Sequence, residues 1–240
     1  MKISTQERKP IIDPTRWKQL IYGESGVGKS TLANHMPAPY FFCFEPGHDH
    51  LTYKGDPILR WQDFKALSLD LRTGNYGFKT AVIDTVQAAY DMCCIYICER
   101  NKIEHISDLG RGRGWDELKK EFSREMMDLA RANIALCLIA HEVCRDREFH
   151  GVKSSRFMPN INDSLRNIIS GFVDLTGRIF VAGFKQGQSI VHRRYITYNN
   201  QETMEAKDRF GTLARCGPIL IEPEAQCWTK IEDNLSKKGT

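Results

Sequence analysis

Gly23-Glu24-Ser25-Gly26-Val27-Gly28-Lys29-Ser30 is the stretch on which the reading of this chain rests. It satisfies the pattern G-x-x-x-x-G-K-[ST] in full, and Thr31 follows it. Glycines at these places let backbone N–H groups close around phosphate oxygens, and a helix that starts at the lysine adds its positive end. Lys29 would reach the β and γ oxygens, Ser30 would offer its hydroxyl to Mg²⁺, and Thr31 would lie near the α-phosphate. The plain alternative is a chance glycine-rich turn. Against it stand the flanks: Trp17 to Tyr22 reads as a short strand and Lys29 to Met36 as a helix, the context this loop requires. The expected cofactors are therefore ATP and Mg²⁺.

Outward from the loop, strands and helices alternate. Pro37 and Pro39 end the first helix, and Tyr40 to Phe44 is a compact apolar run that suits a buried parallel strand. Gln62 to Leu71 has helical spacing, Thr80 to Ile83 forms a strand ending at Asp84, and Val86 to Arg100 reads as a long helix marked by Ala89, Cys93 and Ile97. Gly110 to Gly114 reads as a loop. Trp115, Leu118, Phe122, Met126 and Leu129 then recur at the spacing of an amphipathic helix. Ile134 to Ala140 is the next buried strand, followed by a polar, basic connection from His141 to Pro159 and a helical stretch from Ile161 to Ser170. Ile179 to Ala182, Ser189 to Thr197 and Ile219 to Ile221 read as strands, the first two closely linked, as in an antiparallel edge. The expectation is an α/β fold with a mostly parallel sheet flanked by helices and antiparallel strands toward the C-terminus.

Composition sets the outer bounds. At 240 residues, 41% of them apolar and 27% charged, the chain has the make-up of an ordinary globular domain. We divide it into a polar leader (1–15), one ATPase domain (16–235) and a short tail (236–240). No apolar run approaches the roughly 18 residues of a membrane span, and the N-terminus lacks the hydrophobic segment of a secretory signal, which points to a cytoplasmic protein without membrane contact. Of the eight cysteines, Cys43, Cys93, Cys94, Cys98 and Cys137 fall in apolar periodic stretches and read as buried thiols. The net charge of +4 permits a polyanionic partner without demanding one, so the placement of the cations matters more than their sum.

Three further residues bear on chemistry at the phosphates. A phosphate loop needs a second carboxylate to hold the metal or its water, and Asp84 supplies it at the end of an apolar strand. The other reading of Asp84 is a cap for the helix that follows. Glu45, at the end of the strand after the first helix, is the candidate general base, although an acid before Pro-Gly also suits a turn. His141 ends a third strand and would emerge where ligands bind in open parallel sheets, either facing the γ-phosphate or serving as a structural histidine.

Cations and rings cluster in two connections. Arg111, Arg113 and Trp115 share one; Arg145, Arg147, Phe149, Lys153, Arg156 and Phe157 share the other. Cations that track phosphates and rings that stack on bases suit single-stranded nucleic acid, while a solvated loop is the bland alternative.

GESGVGKST (23–31), FFCFEPG (41–47), AVIDT (81–85), SDLGRGRGW (107–115), LIAHE (138–142), Phe157-Met158-Pro159 and Gly171-Phe172-Val173-Asp174 occur in that order. Together they resemble the compact RecA-like phage ATPases that act as single-strand annealing recombinases. The resemblance implies a RecA-like core with ATP between subunits, Glu45 as catalytic glutamate and His141 as γ-phosphate sensor. It also implies that Lys207 and Arg209 act as cations reaching a neighbour's γ-phosphate. The partners it implies are single-stranded DNA, further copies of the chain and a single-strand-binding protein, in a bacterial host cytoplasm if the chain is phage-encoded. Two other functions fit the same loop: a small-molecule or nucleotide kinase with residues 144–158 as its lid, and a regulatory module with little turnover.

Overall fold

The computed structural model describes residues 7, 11–149, 152–187 and 189–236. Most of the polar leader, and residues 237–240 of the tail, lie outside the described residues.

Six strands form the parallel part of one sheet: β1 (Lys18–Gly23), β2 (Pro39–Cys43), β3 (Gly55–Pro57), β4 (Thr80–Asp84), the first part of β5 (Ala135–Phe149) and β7 (Leu175–Gln186). Their order is β3-β2-β4-β5-β1-β7, every neighbouring pair parallel. Beyond β7 the sheet turns antiparallel with β8 (Ser189–Thr197) and β10 (Ile219–Leu220), while β9 (Lys207–Asp208) pairs with the start of β7. The expected fold class holds.

Central strands of such a sheet are buried on both faces, which is why they read as unbroken apolar runs. Every residue of β1 and β4 is buried. Alternate side chains feed two cores. Leu20, Tyr22, Phe42, Ala81, Ile83, Leu136 and Leu138 meet α2 (Trp61–Thr73), α3 (Val86–Asn101), α4 (Arg113–Arg131) and α5 (Asp163–Phe172). Ile21, Phe41, Val82, Cys137 and Ile139 meet α1 (Lys29–Asn34) and α6 (Glu224–Ser236) on the other face. Among the described residues no helix is long and apolar enough to cross a membrane. All eight cysteines are free; Cys43, Cys93 and Cys137 are buried as expected, whereas Cys94 and Cys98 are only partly so.

Several sequence expectations need correction. The segment from His141 to Pro159 is no loop: β5 runs on through it to Phe149 and returns as β6 (Val152–Pro159), an antiparallel hairpin. The Gly110 to Gly114 connection follows α3 and a 3₁₀ turn (Ile106–Leu109), so it does not leave a sheet strand. α4 begins inside it, at Arg113, because Gly112 takes the left-handed conformation (φ 75°) that precedes the first turn. Gly114 packs so closely that a Cβ would meet the Ile106 carbonyl oxygen. Trp115, counted on the apolar face, is instead 42% exposed in that first turn, before the face meets the core at Leu118. β3 and α6 were not anticipated. β3 is only three residues long and partly exposed, too short to show a period.

One ion pair joins strands on either side of β1. Arg178 on β7 donates from Nε and Nη2 to Glu142 on β5 at 2.6 and 3.1 Å, and its guanidinium lies 3.9 Å from the Phe157 ring centroid. Both side chains are largely withdrawn from water, so removing one strands the other's charge. Arg178→Ala should cost about 3–5 kcal/mol in urea unfolding, and Glu142→Leu/Arg178→Met should recover most of it. A double variant no more stable than the single one would contradict the assignment of the cost to a stranded charge.

Candidate active site

Parallel pairing places four strand ends side by side. Gly23 of β1 is level with His141 of β5, and Cys43 of β2, two residues before Glu45, is level with Asp84 of β4. With β2, β4, β5 and β1 adjacent, Glu45, Asp84, His141 and the loop after Gly23 all meet on the carboxyl-end rim.

The loop has the conformation that its glycines make available. Gly26 and Gly28 have φ of 76° and 95°, a region costly for side-chain-bearing residues. At Gly23 a Cβ would run into the Ile179 carbonyl oxygen. Lys29 folds back over the loop and donates to the carbonyls of Gly23 (3.1 Å) and Glu24 (2.7 Å). Burial holds its pKa below the usual lysine value, opposed by the carboxylates of Asp84, Glu142 and Glu45. Val27 turns its side chain into the core, so only its backbone can serve a ligand, and Glu24 is exposed.

Around Asp84 and Glu45 the hydrogen bonds are specific. Ser30 Oγ donates to Asp84 Oδ2 at 2.6 Å, and His48 Nε2 lies 2.9 Å from the same oxygen. The hydrogen bond to Asp84 raises the His48 pKa, against the opposing effect of burial. Asp84 does not cap α3; Thr85 does, with Oγ1 accepting from the Ala88 N–H. The same hydroxyl donates to Glu45 Oε1 at 2.5 Å, and His141 Nε2 stands 3.3 Å from Glu45 Oε2. Thr85 therefore ties the second acid to the helix that starts at the first.

Lys29, Ser30, Glu45, His48, Asp84 and His141 line a cavity of about 530 Å³ that also receives Gly26, Gly28, Thr31, His50 and Arg194. Its size suits a nucleotide. Magnesium keeps several waters and takes few protein ligands, so the convergence of the Ser30 hydroxyl and the 5% exposed Asp84 carboxylate fits it. Mg²⁺ held there with a triphosphate would neutralise phosphate charge. Glu45, held by Thr85 and His141, lines the same cavity, and a carboxylate there could accept a proton from a nucleophile.

The sequence brought out Lys29, Ser30, Thr31, Glu45, Asp84 and His141, and the fold gathers all six. It missed His48, His50, Thr85 and Arg194. Thr85, as the residue between a strand and a helix, carried a readable cap signal. Arg194 carried none, for it comes from β8, outside the parallel strands. Lys207 and Arg209 lie elsewhere. β9 pairs with the first residues of β7, at the amino ends of the parallel strands and away from the cavity. There Lys207 donates to the carbonyls of Ser170 and Val173, and Arg209 to Asp174 and the Gly171 carbonyl, closing the C-terminal end of α5.

Comparison with known proteins bears on the domain that carries this cavity. A family model described as an AAA domain matches residues 15–210. The chain is also similar to the SPbeta prophage-derived uncharacterized protein YorG of Bacillus subtilis (strain 168). The two are 29% identical over 127 residues, which is 50% of this chain and 39% of that protein.

Glu45→Gln should leave ATP affinity within about threefold while turnover falls by about 10²–10⁴. Asp84→Asn should instead raise the Mg²⁺ concentration needed for half-maximal turnover. Equal, barely detectable turnover in the parent and Glu45→Gln proteins would move the chain to the class of nucleotide-binding switches.

Proposed function

The chain belongs to the AAA domain family of P-loop ATPases, matched over residues 15–210, and on that premise we propose that it couples ATP hydrolysis to binding of single-stranded DNA. In this reading it is a protein of phage-type homologous recombination, pairing or annealing strands, and works as an assembly of copies. The prophage origin of a relative similar over half of this chain supports the setting.

One observation carries the DNA reading. On the hairpin of β5 and β6, Arg145 stands directly opposite Arg156, and Arg147 follows two residues further along β5. Like charges directly opposite in an antiparallel pair are destabilising, so a face that retains them suits an anion. The acids Asp146 and Glu148 occupy the other face. Lys153 stands opposite Glu148 on that other face, away from Arg145 and Arg156. The hairpin is continuous with the strand that carries His141, so a strand of DNA on it would press on the residue beside Glu45.

The neighbouring hairpin of β7 and β8 adds rings. Phe180, Phe184 and Tyr195 stack along one face with exposed Arg193, and no Asp or Glu occurs from Leu175 to Gln201. Rings of this kind accept bases of any sequence, and cations follow the backbone. Exposed Trp115, beside Arg111 and Arg113, is a further contact in this reading. Lys207 and Arg209, remote from their own cavity, would serve a neighbouring copy's γ-phosphate.

Single-stranded DNA should stimulate ATP hydrolysis and, together with ATP, convert the protein to a larger assembly seen by light scattering. Arg145→Ala/Arg147→Ala/Arg156→Ala should weaken DNA binding at least about tenfold and flatten its salt dependence, with Lys153→Ala much milder. Mixing Lys207→Ala/Arg209→Ala with Lys29→Ala chains should restore part of the lost turnover. Hydrolysis indifferent to DNA, with phosphate passing to a nucleoside or other small acceptor, would replace this reading with a kinase.

A further inference from the structure

Arg194 reaches the phosphate loop from the antiparallel edge of the sheet. It stands opposite Val181 in the β7–β8 ladder, and its side chain comes so near Gly28 that a Cβ built on that glycine would lie 2.6 Å from Nη1. Gly28 thus answers to two demands: a φ of 95° and the passage of a guanidinium. The same arginine lines the cavity that holds Lys29, Ser30 and Asp84.

Two carboxylates fix its orientation. Nε donates to Glu222 Oε1 at 3.0 Å, and Nη2 donates to Glu224 Oε1. Those bonds occupy the edge of the guanidinium that faces away from the loop and leave Nη1 against Gly28. A guanidinium is a planar fork whose donors keep fixed directions, so holding two of them aims the third. Glu222 lies just before α6 and Glu224 is its first residue, and that helix is docked on α1 by Trp228, whose Nε1 donates to the Leu32 carbonyl at 3.0 Å. Arg194, its acids and the phosphate-loop helix therefore form one braced unit.

We propose that Arg194 is a phosphate-binding residue acting within its own chain: Nη1 contacts the phosphates of a nucleoside triphosphate held by the Gly23–Ser30 loop, with Glu222 and Glu224 as positioning residues. The inference rests on the nucleotide-site reading and is independent of DNA binding. It adds a cation beside Lys29, from the side of the loop opposite Glu45 and His141 in the strand order. Lys29 is held by backbone carbonyls of the loop itself, whereas Arg194 is held by acids on a separate segment.

The test measures competition of ATP and of inorganic tripolyphosphate, which has no base or sugar, against a fluorescent ATP analogue. Arg194→Ala should weaken both competitors by about 10- to 100-fold, as expected for loss of a hydrogen bond from a charged group. Arg194→Lys should recover only part, since an ammonium cannot hold two acids and present a third donor in fixed directions. Glu222→Gln/Glu224→Gln, which keeps the side-chain shapes but loosens the hold on the guanidinium, should weaken both competitors in the same ratio and by clearly less than Arg194→Ala. Weakened ATP with unchanged tripolyphosphate would overturn the proposal in favour of a base or sugar contact. Equal weakening in Arg194→Ala and the Glu222→Gln/Glu224→Gln protein would overturn it in favour of a purely structural tether for α6. Should Arg194→Ala fail to fold, Arg194→Lys and Arg194→Gln carry the same comparison, and parental affinity in both would refute the contact. Failure of the parent protein itself to bind ATP would refute the nucleotide site instead.

Discussion

The hydrogen bond from Ser30 Oγ to Asp84 Oδ2, at 2.6 Å, joins the first turn of α1 to the end of β4. β5 lies between β4 and β1, so the bond spans two strand spacings of the sheet. Its geometry holds only if β1, β5 and β4 run parallel and in register, with Gly23 level with His141 and Asp84 level with Ile139. The apolar layers on both faces exist to maintain that register. A slip of one residue would turn each strand's side chains to the opposite layer and carry Asp84 away from the loop.

Electrostatics around that bond are closely balanced. Besides His50 and His141, three cationic or protonatable groups, Lys29, His48 and Arg194, surround a cavity whose acids are Glu45 and Asp84. Each has a partner within the chain: backbone carbonyls for Lys29, Asp84 for His48, and Glu222 with Glu224 for Arg194. Partnering keeps the donors in place without ligand, so little side-chain freedom is left to lose when phosphate arrives. Burial that lowers the Lys29 pKa also lowers the local dielectric, which strengthens the pull on a polyanion.

Two hairpins extend the sheet beyond its layered body, each continuous with a strand that flanks β1. Their roots are tied by Glu142 and Arg178, with Phe157 stacked on the guanidinium. Movement of one hairpin would reach the other through that pair, and His141 is next to Glu142 in the chain. The β5–β6 hairpin is thus mechanically close to the candidate base.

Much of this was legible in the residues. The loop Gly23 to Ser30 with its flanks, the apolar runs that became β1, β2, β4 and β5, and the acids or histidine after three of them can be read because each depends on neighbours in sequence. Backbone conformation at glycine, strand burial on two faces and the end of an apolar run are local facts. The continuation of β5 into a hairpin was hidden, since alternating charges and Ser pair as well in a ladder as they solvate in a loop, and only the returning strand decides between them. Segregation of Arg145 and Arg156 from Asp146 and Glu148 follows from that register. Arg194 beside Gly28, and Lys207 with Arg209 on α5 rather than in the cavity, were decided by packing between segments far apart in the chain. By itself the sequence determined a phosphate loop at the head of a parallel sheet, because that chemistry is contiguous; the tertiary structure alone decided which distant cations share the cavity, because a long side chain's partner is set by the strand order and not by its neighbours in sequence.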